Sequence, residues 1–324
     1  LRIDCQTHIF PEAYAEVLAR NPQSPQADLQ GDGCIITYGD LQTFNLKYET
    51  YSLDKKIRDM DAAGIDISLL SVNMPGPESL VPELGVEGAR VSNDALSEAA
   101  QKHPDRLLGF ASLPWQDVPS ALVEIDRAIG QLGFRGIMLY AHTSGEPIDS
   151  VVYDPIFSRA VELDVPVVLH PTVPPWGESL KEFSMIPMVG LMAHQSFAML
   201  RLILGGVLER HPKLKIVHPH CGGILPYLWG RVENQTEVMG RGRDNITHPV
   251  GDYYRSVYFD MVSPSPLALR YIYDFASPDQ LLFATDHPWV DMNLLINLVA
   301  EMDIPEEDKD RIFGTNAQTL FKID

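Results

Sequence analysis

Val165-Pro166-Val167-Val168-Leu169-His170-Pro171 is a short, almost unbroken apolar and β-branched run that stops abruptly on a histidine and a proline. A strand of that composition has no polar face, so it belongs in a sheet covered on both sides, the environment of parallel strands. Seven further runs of the same kind flank it, at Arg2–Cys5, Ile65–Val72, Leu107–Ser112, Gly136–Tyr140, Leu214–His218, Val257–Asp260 and Leu281–Ala284. Most are separated by stretches with helical periodicity: Leu53–Ala63, Asn93–Lys102, Val118–Leu132, Pro155–Leu163, Phe197–Glu209 and Ser265–Phe275. Strand followed by helix, repeated, implies a parallel sheet, and eight such units close into a barrel more naturally than they form an open sheet. The expected fold is a single-domain (β/α)8 TIM barrel over residues 1–324.

Two stretches exceed a minimal barrel: about residues 11–50, rich in Gly, Gln and Tyr, and about residues 171–196, rich in Pro and Met. They follow the first and fifth strands, the end of a barrel where insertions wall an active site. Met185–Leu208 is the most apolar long stretch, but His194, Gln195 and Arg201 interrupt it, and a buried helix is expected there instead of a membrane span.

Composition narrows the function. With 25 Lys+Arg against 44 Asp+Glu the formal charge is −19, which argues against a nucleic-acid partner. An anionic substrate would then need a local positive element such as a metal. Cys5, Cys34 and Cys221 stand at long irregular spacings, giving neither a disulfide framework nor a metal knuckle. With no secretion leader in the opening residues, a cytoplasmic protein is expected.

In a barrel the C-terminal strand ends face the active site, so polar residues where apolar strands stop carry the information. Four strands end this way: Asp4-Cys5-Gln6-Thr7-His8, Leu169-His170-Pro171, His218-Pro219-His220-Cys221-Gly222-Gly223, and Thr285-Asp286-His287-Pro288. Imidazole and carboxylate groups converging there suit one divalent ion, zinc first and manganese as the alternative, with an open position to polarise a substrate oxygen or activate water.

The order of these strand ends resembles the amidohydrolase superfamily, and within it the decarboxylase branch typified by aminocarboxymuconate semialdehyde decarboxylase. The likeness spans nearly the whole chain and includes Ile57–Ile65, His103–Gly109, Leu132–Gly136, Gly205–Lys215 and Thr285–Pro288. It is strongest at His220-Cys221-Gly222-Gly223-Ile224-Leu225-Pro226. The resemblance implies that His8 and His170 are metal ligands, that Asp286 is a ligand or proton carrier, that His220 is the acid/base group, and that the protein is a homodimer. Where the branch begins its first strand His-x-His or Glu-x-His, this chain has Gln6-Thr7-His8, so Gln6 is either a weak ligand or a group behind the ligands, and one metal or none is expected. Strand four offers Tyr140 and no lysine to bridge two metals. The branch's substrate-binding arginine also has no counterpart in Thr43-Phe44-Asn45-Leu46-Lys47-Tyr48, so the substrate differs.

Phe10, Trp176 and Trp289 are expected at the mouth, suiting a flat or unsaturated carboxylate. His218, on the same strand face as His220, and His287, beside Asp286, are candidate substrate contacts. His103, His142, His194 and His248 are read as structural, Trp115 and Trp229 as core, and Cys5 and Cys221 as small buried residues near the site. The expected activity is metal-dependent decarboxylation of a small unsaturated or aromatic acid, and the rival is hydrolysis of a lactone, amide or C–C bond by the same residues. A binding protein that has lost its metal is a third class, against which His8, His170, His220 and Asp286 together argue.

Overall fold

The computed structural model describes residues 1–144 and 146–324. The strands, in chain order, are β1 (Ile3–Ile9), β2 (Gln26–Gln30), β3 (Gly33–Tyr38), β4 (Gln42–Lys47), β5 (Ile67–Val72), β6 (Leu107–Gly109), β7 (Ile137–Tyr140), β8 (Val167–His170), β9 (Ile216–His218), β10 (Tyr258–Asp260) and β11 (Leu281–Leu282). β1, β5 and β6 pair in parallel, as do β7 through β11 in order. The two arcs meet through parallel bridges Ala111–Ile137 and Thr7–His287, which complete an eight-stranded (β/α)8 barrel. All eight apolar runs become barrel strands, each shorter than its apolar stretch except β1, which extends to Ile9.

Helices begin where the sequence supplies an oxygen for their free N–H groups. Ser52, Asp117, Ser265 and Asp291 cap the helices Leu53–Ala63, Val118–Gly130, Pro266–Phe275 and Met292–Ala300, each accepting from the backbone three residues on, a contact usually worth about 1 kcal/mol. Two expectations change. The helix expected from Asn93 starts at Pro82; its first half carries Gly88, where a side chain would meet the Tyr14 ring at 3.0 Å, so the glycine that weakens the helical pattern lets the helix Glu12–Ala19 pack closely. The single helix expected over Phe197–Glu209 is two, Leu191–Leu204 and Val207–Arg210, parted at Gly205 and Gly206, the latter at φ 78°.

Both insertions follow the barrel strands expected. The first is the helix Glu12–Ala19 and an antiparallel sheet of β2, β3 and β4. The second is a series of short helical turns leading into Leu191–Leu204. Glu182–Leu204 is long and apolar enough, by length and composition, to cross a membrane. In this fold Ala198, Met199, Leu202 and Ile203 are buried in the core, whereas Met188, Val189 and Phe197 are exposed, so the helix is only partly the buried element expected.

β9 ends in four consecutive residues with positive φ: His220 (53°), Cys221 (55°), Gly222 (75°) and Gly223 (61°). Two of them carry side chains, a conformation that costs of order 1–3 kcal/mol per residue and persists only where surrounding structure enforces it. Gly223 is the tightest point, since a Cβ there would lie 2.5 Å from Ser196 Oγ and 2.7 Å from the Met192 carbonyl oxygen. Gly223→Ala is therefore expected to destabilise the protein by about 1–3 kcal/mol, seen as a lower thermal midpoint by circular dichroism. Gly130→Ala, at a helical position with nothing within 4 Å of the added carbon, should not lower it.

Candidate active site

The seam that closes the barrel also builds the site. The amide of Asp286 donates to the Gln6 carbonyl (2.8 Å) and that of His8 to the His287 carbonyl (2.8 Å), so strand β1 and the chain after β11 hold their ends side by side. Asp286 sits at φ 58°, which turns its carboxylate inward and sends the next residue outward.

His8 Nε2 lies 2.9 Å from Asp286 Oδ1, and its Nδ1 lies 2.9 Å from Ser71 Oγ. His170 donates from Nδ1 to the Pro171 carbonyl (2.8 Å), which leaves the Nε2 lone pair aimed at His8 Nε2, 3.3 Å away. Burial, with His8 adding to it, drives the His170 pKa well below its ordinary value, so the ring is neutral. Burial opposes the charge on Asp286 too, but His220 and His8 outweigh it and hold the carboxyl far below the usual range. Two imidazole nitrogens and a carboxylate oxygen within 4.8 Å of one another fit a divalent cation: it would satisfy lone pairs that otherwise oppose each other in a buried site.

Gln6 stands beside this trio. Its Nε2 is 3.2 Å from Asp286 Oδ1 and 3.4 Å from His220 Nε2, while its Oε1 is buried with no partner. As oriented, the amide supports Asp286; rotation about its terminal bond would turn the orphaned oxygen toward the metal donors.

His220 is set from three directions. Its backbone N–H donates to Asp260 Oδ1 (2.7 Å), its Nδ1 lies 3.2 Å from Gln195 Oε1, and its Nε2 is 3.6 Å from Asp286 Oδ2. Gln195 Nε2 donates to the Pro219 carbonyl (3.2 Å), so its oxygen is the end that faces His220, and His220 Nδ1 carries a hydrogen. Burial works against a charged imidazole here, but Asp286 more than compensates, and His220 titrates above its ordinary value.

Of these groups His170, His220 and Asp286 line the floor of a cavity of about 550 Å³, with walls that include Phe44, Met74, Leu191, Met192, Ile224, Val262 and Trp289. Among the described residues no lysine or arginine lines it. The sequence model of the amidohydrolase family matches residues 3–323. The chain belongs to that family. It is 30% identical to γ-resorcylate decarboxylase of Rhizobium sp. over 84% of this chain and 87% of the relative. It is 24% identical to 2-amino-3-carboxymuconate-6-semialdehyde decarboxylase of Dictyostelium discoideum, over 100% and 92%. A solved dihydroxybenzoic acid decarboxylase of Polaromonas sp., with bound manganese and the inhibitor 2-nitroresorcinol, superposes with a TM-score of 0.84 at 26% identity, covering 99% of this chain and 97% of that one. The resemblance read from the strand ends is thus shown at the level of the family.

Within this amidohydrolase fold, Gln6, His8, His170, His220 and Asp286 come together, and Trp289 reaches the cavity wall, its Nε1 donating to Asn73 Oδ1 (3.1 Å). Four expected substrate contacts are not in the cavity lining. Phe10 is buried against the Tyr14 and Tyr51 rings. Trp176 is carried past the site by the proline-rich segment after β8 and lines a separate cavity of about 720 Å³ with His194 and Phe197. His218 is buried with Nδ1 against Tyr254 OH (3.0 Å), and burial lowers its pKa to about 3. His287, turned outward by the Asp286 conformation, contacts Lys56 Nζ (2.9 Å) and Asp59 Oδ2 (2.8 Å).

Asn73, Gln195, Asp260 and Lys56 were not singled out from the sequence. Asp260 was legible, since it ends an apolar run as Asp286 does. Asn73 was legible on the same ground, as the first polar residue after the run Ile65–Val72, whereas Gln195, inside an apolar helix, had no strand-end signal. Lys56 lies in an ordinary helical pattern, yet it is buried and bonded to Thr7 Oγ1, the His287 carbonyl and His287 Nδ1, which ties the two strand ends from behind. Burial pushes its ammonium down to about 7, against the pull of Asp4.

Removing a donor should empty the site, whereas removing His220 should not. His170→Ala is expected to weaken divalent-metal binding by about 100-fold or more and His220→Asn by less than about tenfold, as measured by calorimetric titration and metal content after dialysis.

Proposed function

We infer that this amidohydrolase-family chain is a metal-dependent carboxy-lyase that removes carbon dioxide from a small aromatic carboxylate. The observation that carries this reading is the juxtaposition of the His220 imidazole, its Nε2 3.6 Å from Asp286 Oδ2, with a metal-fitting donor set, on a largely apolar cavity that no lysine or arginine lines among the described residues. A divalent ion held by His8, His170 and Asp286 would supply Lewis acidity to a substrate oxygen. The chain's own groups do the rest.

The apolar walls, with Phe44 and Trp289 packed edge to face at 6.1 Å, hold a flat ring and exclude water. The Asp286 carboxylate raises the basicity of His220, and Nε2, the ring nitrogen facing that carboxylate, is the one placed to deliver a proton. Gln195 fixes the other nitrogen, so the ring cannot turn. Transfer of the Nε2 proton to the ring carbon that bears the carboxylate interrupts conjugation there. The bond to the carboxylate then breaks, its electron pair returns to the ring, and carbon dioxide leaves. His220 regains its proton from solvent, with the negative charge of Asp286 stabilising the cationic form.

Decarboxylase relatives over most of the chain favour this course over hydrolysis by the same residues. Two imidazoles and a carboxylate accept zinc and manganese alike. The manganese of the Polaromonas relative supports manganese here, in place of the zinc first expected. Three unpaired, buried cysteines support a reducing cytoplasm. Exposed Tyr227 and Leu267 support a homodimer.

Manganese-loaded protein is expected to release carbon dioxide from one or more members of a hydroxybenzoate panel, and chelation is expected to abolish it. His220→Asn should lower kcat by about 100-fold or more while the metal stays bound. Acid release from lactones or amides with no carbon dioxide from any carboxylate would reassign the reaction to hydrolysis.

A further inference from the structure

The second cavity, of about 720 Å³, lies on another flank of the helix Leu191–Leu204 and shares no lining residue with the first: Leu191 and Met192 face the metal-fitting site, His194 and Phe197 this one. Nothing from the left-handed turn after β9 or from the helix Leu225–Glu233 lines it, nor do the exposed Tyr227 and Leu267. Its volume is within the range of small-molecule sites.

His194 gives the cavity an acceptor. The side chain is buried, and its Nδ1 donates to the Thr172 carbonyl (2.8 Å), which places the ring hydrogen on that nitrogen. Burial lowers its pKa to about 4, so the ring is neutral. Nε2 therefore keeps a lone pair, and it has no partner among the described residues. A buried acceptor without a donor is costly, and a ligand hydroxyl would remove that cost. Flat side chains stand around it. Trp176 meets the His194 ring edge to face at 5.9 Å and the Phe197 ring at 5.5 Å, and both aromatic residues are exposed.

The charges of the lining disfavour an anion. Among the described residues Arg201 is its one lysine or arginine, and its Nε is already paired with Asp149 Oδ1 at 2.6 Å. Glu146 and Asp244 add two carboxylates, and loss of hydration holds His142 below its ordinary pKa. A carboxylate entering here would meet a net acidic lining and no free cation, an unfavourable transfer from water.

We propose that this cavity is a binding site for a neutral phenol, its ring against Trp176 and Phe197 and its hydroxyl donating to His194 Nε2, and that it turns aromatic carboxylates away. A phenol is also what removal of carbon dioxide from a hydroxybenzoate would leave, and that link alone rests on the carboxy-lyase reading above.

The four tryptophans separate the two cavities in one experiment, since Trp176 lines this one, Trp289 the first, and Trp115 and Trp229 are buried. Protein carrying 5-fluorotryptophan and loaded with zinc, which is diamagnetic, is titrated with phenol and with benzoate and followed by fluorine resonance, the Trp176 and Trp289 signals being assigned from Trp176→Leu and Trp289→Phe. Phenol is expected to shift the Trp176 signal saturably, and benzoate to act there at least about tenfold more weakly. His194→Asn, whose amide can still donate to the Thr172 carbonyl, should weaken phenol at Trp176 by about fivefold or more. Phe197→Ala, at an exposed position where folding is not at risk, should do the same. A shift at Trp289 alone overturns the assignment. So does a silent Trp176, as when a second copy closes over that face, or benzoate acting there as strongly as phenol, or unchanged titration in every folded variant. Titration at Trp176 with no carbon dioxide from any acid in the panel leaves the phenol site standing and counts against the carboxy-lyase reading.

Discussion

The structure turns on one buried carboxylate. Asp286 is drawn into the barrel mouth by its own left-handed conformation, and its charge is tolerable there only because His8, His220 and the Gln6 amide surround it. Its backbone N–H simultaneously donates to Gln6, and one residue later the His287 carbonyl accepts from His8. The bonds that close the barrel are therefore the bonds that set the spacing of the site. Breaking a buried charged pair commonly costs 3–5 kcal/mol, so here the penalty for a misplaced Asp286 would fall on fold and chemistry together. Lys56 reinforces the arrangement from behind, its ammonium bonded to Thr7 and His287, the neighbours of His8 and Asp286.

The second support is the helix Leu191–Leu204. Gln195 orients the His220 ring, and Ser196 Oγ accepts the Ile224 N–H just beyond the left-handed turn. A helix that the sequence marks mainly as apolar thereby acts as a splint for the proton-carrying residue. The strain of placing His220 and Cys221 at positive φ is held by these contacts and by Asp260, which accepts the His220 N–H. Asp260 is itself buried, and burial raises its pKa to about 6. The turn thus exchanges backbone and solvation cost for a fixed imidazole.

How much of this was legible follows from how each feature is encoded. Apolar runs that stop on His170, His220 and Asp286 are a one-dimensional signal, because a barrel puts every strand end at the same mouth; the fold and the convergent group both came from it. Direction is not encoded that way. His287 and Asp286 are adjacent in sequence, yet a single positive φ separates their destinations, and nothing in the residue types announces it. Trp176 shares a loop with the site but is led away to another cavity. The first insertion was placed correctly, though its sheet was missed: β2 is almost wholly exposed, but the Thr43-Phe44-Asn45-Leu46-Lys47 alternation of β4, with Phe44 and Leu46 buried, was a readable strand signal.

A protein with a formal charge of −19 that accepts an anion must separate its far field from its near field. Many of its cations are spent at the surface, Arg210 on Asp154, Arg127 on Glu124 and Asp94, and Lys181 on Asp40, where solvent and salt screen them. Inside the cavity, at lower effective dielectric, the attraction of one charge is several-fold stronger than at the surface. A divalent ion held by His8, His170 and Asp286 would place positive charge at one end of the cavity, where it would dominate binding despite the opposing sign of the whole molecule, and would do so with direction. The carboxylate must descend to the floor, the ring is left against the apolar walls, and the carbon to be protonated is brought toward His220. In this site the placement of charge is also the means of orientation.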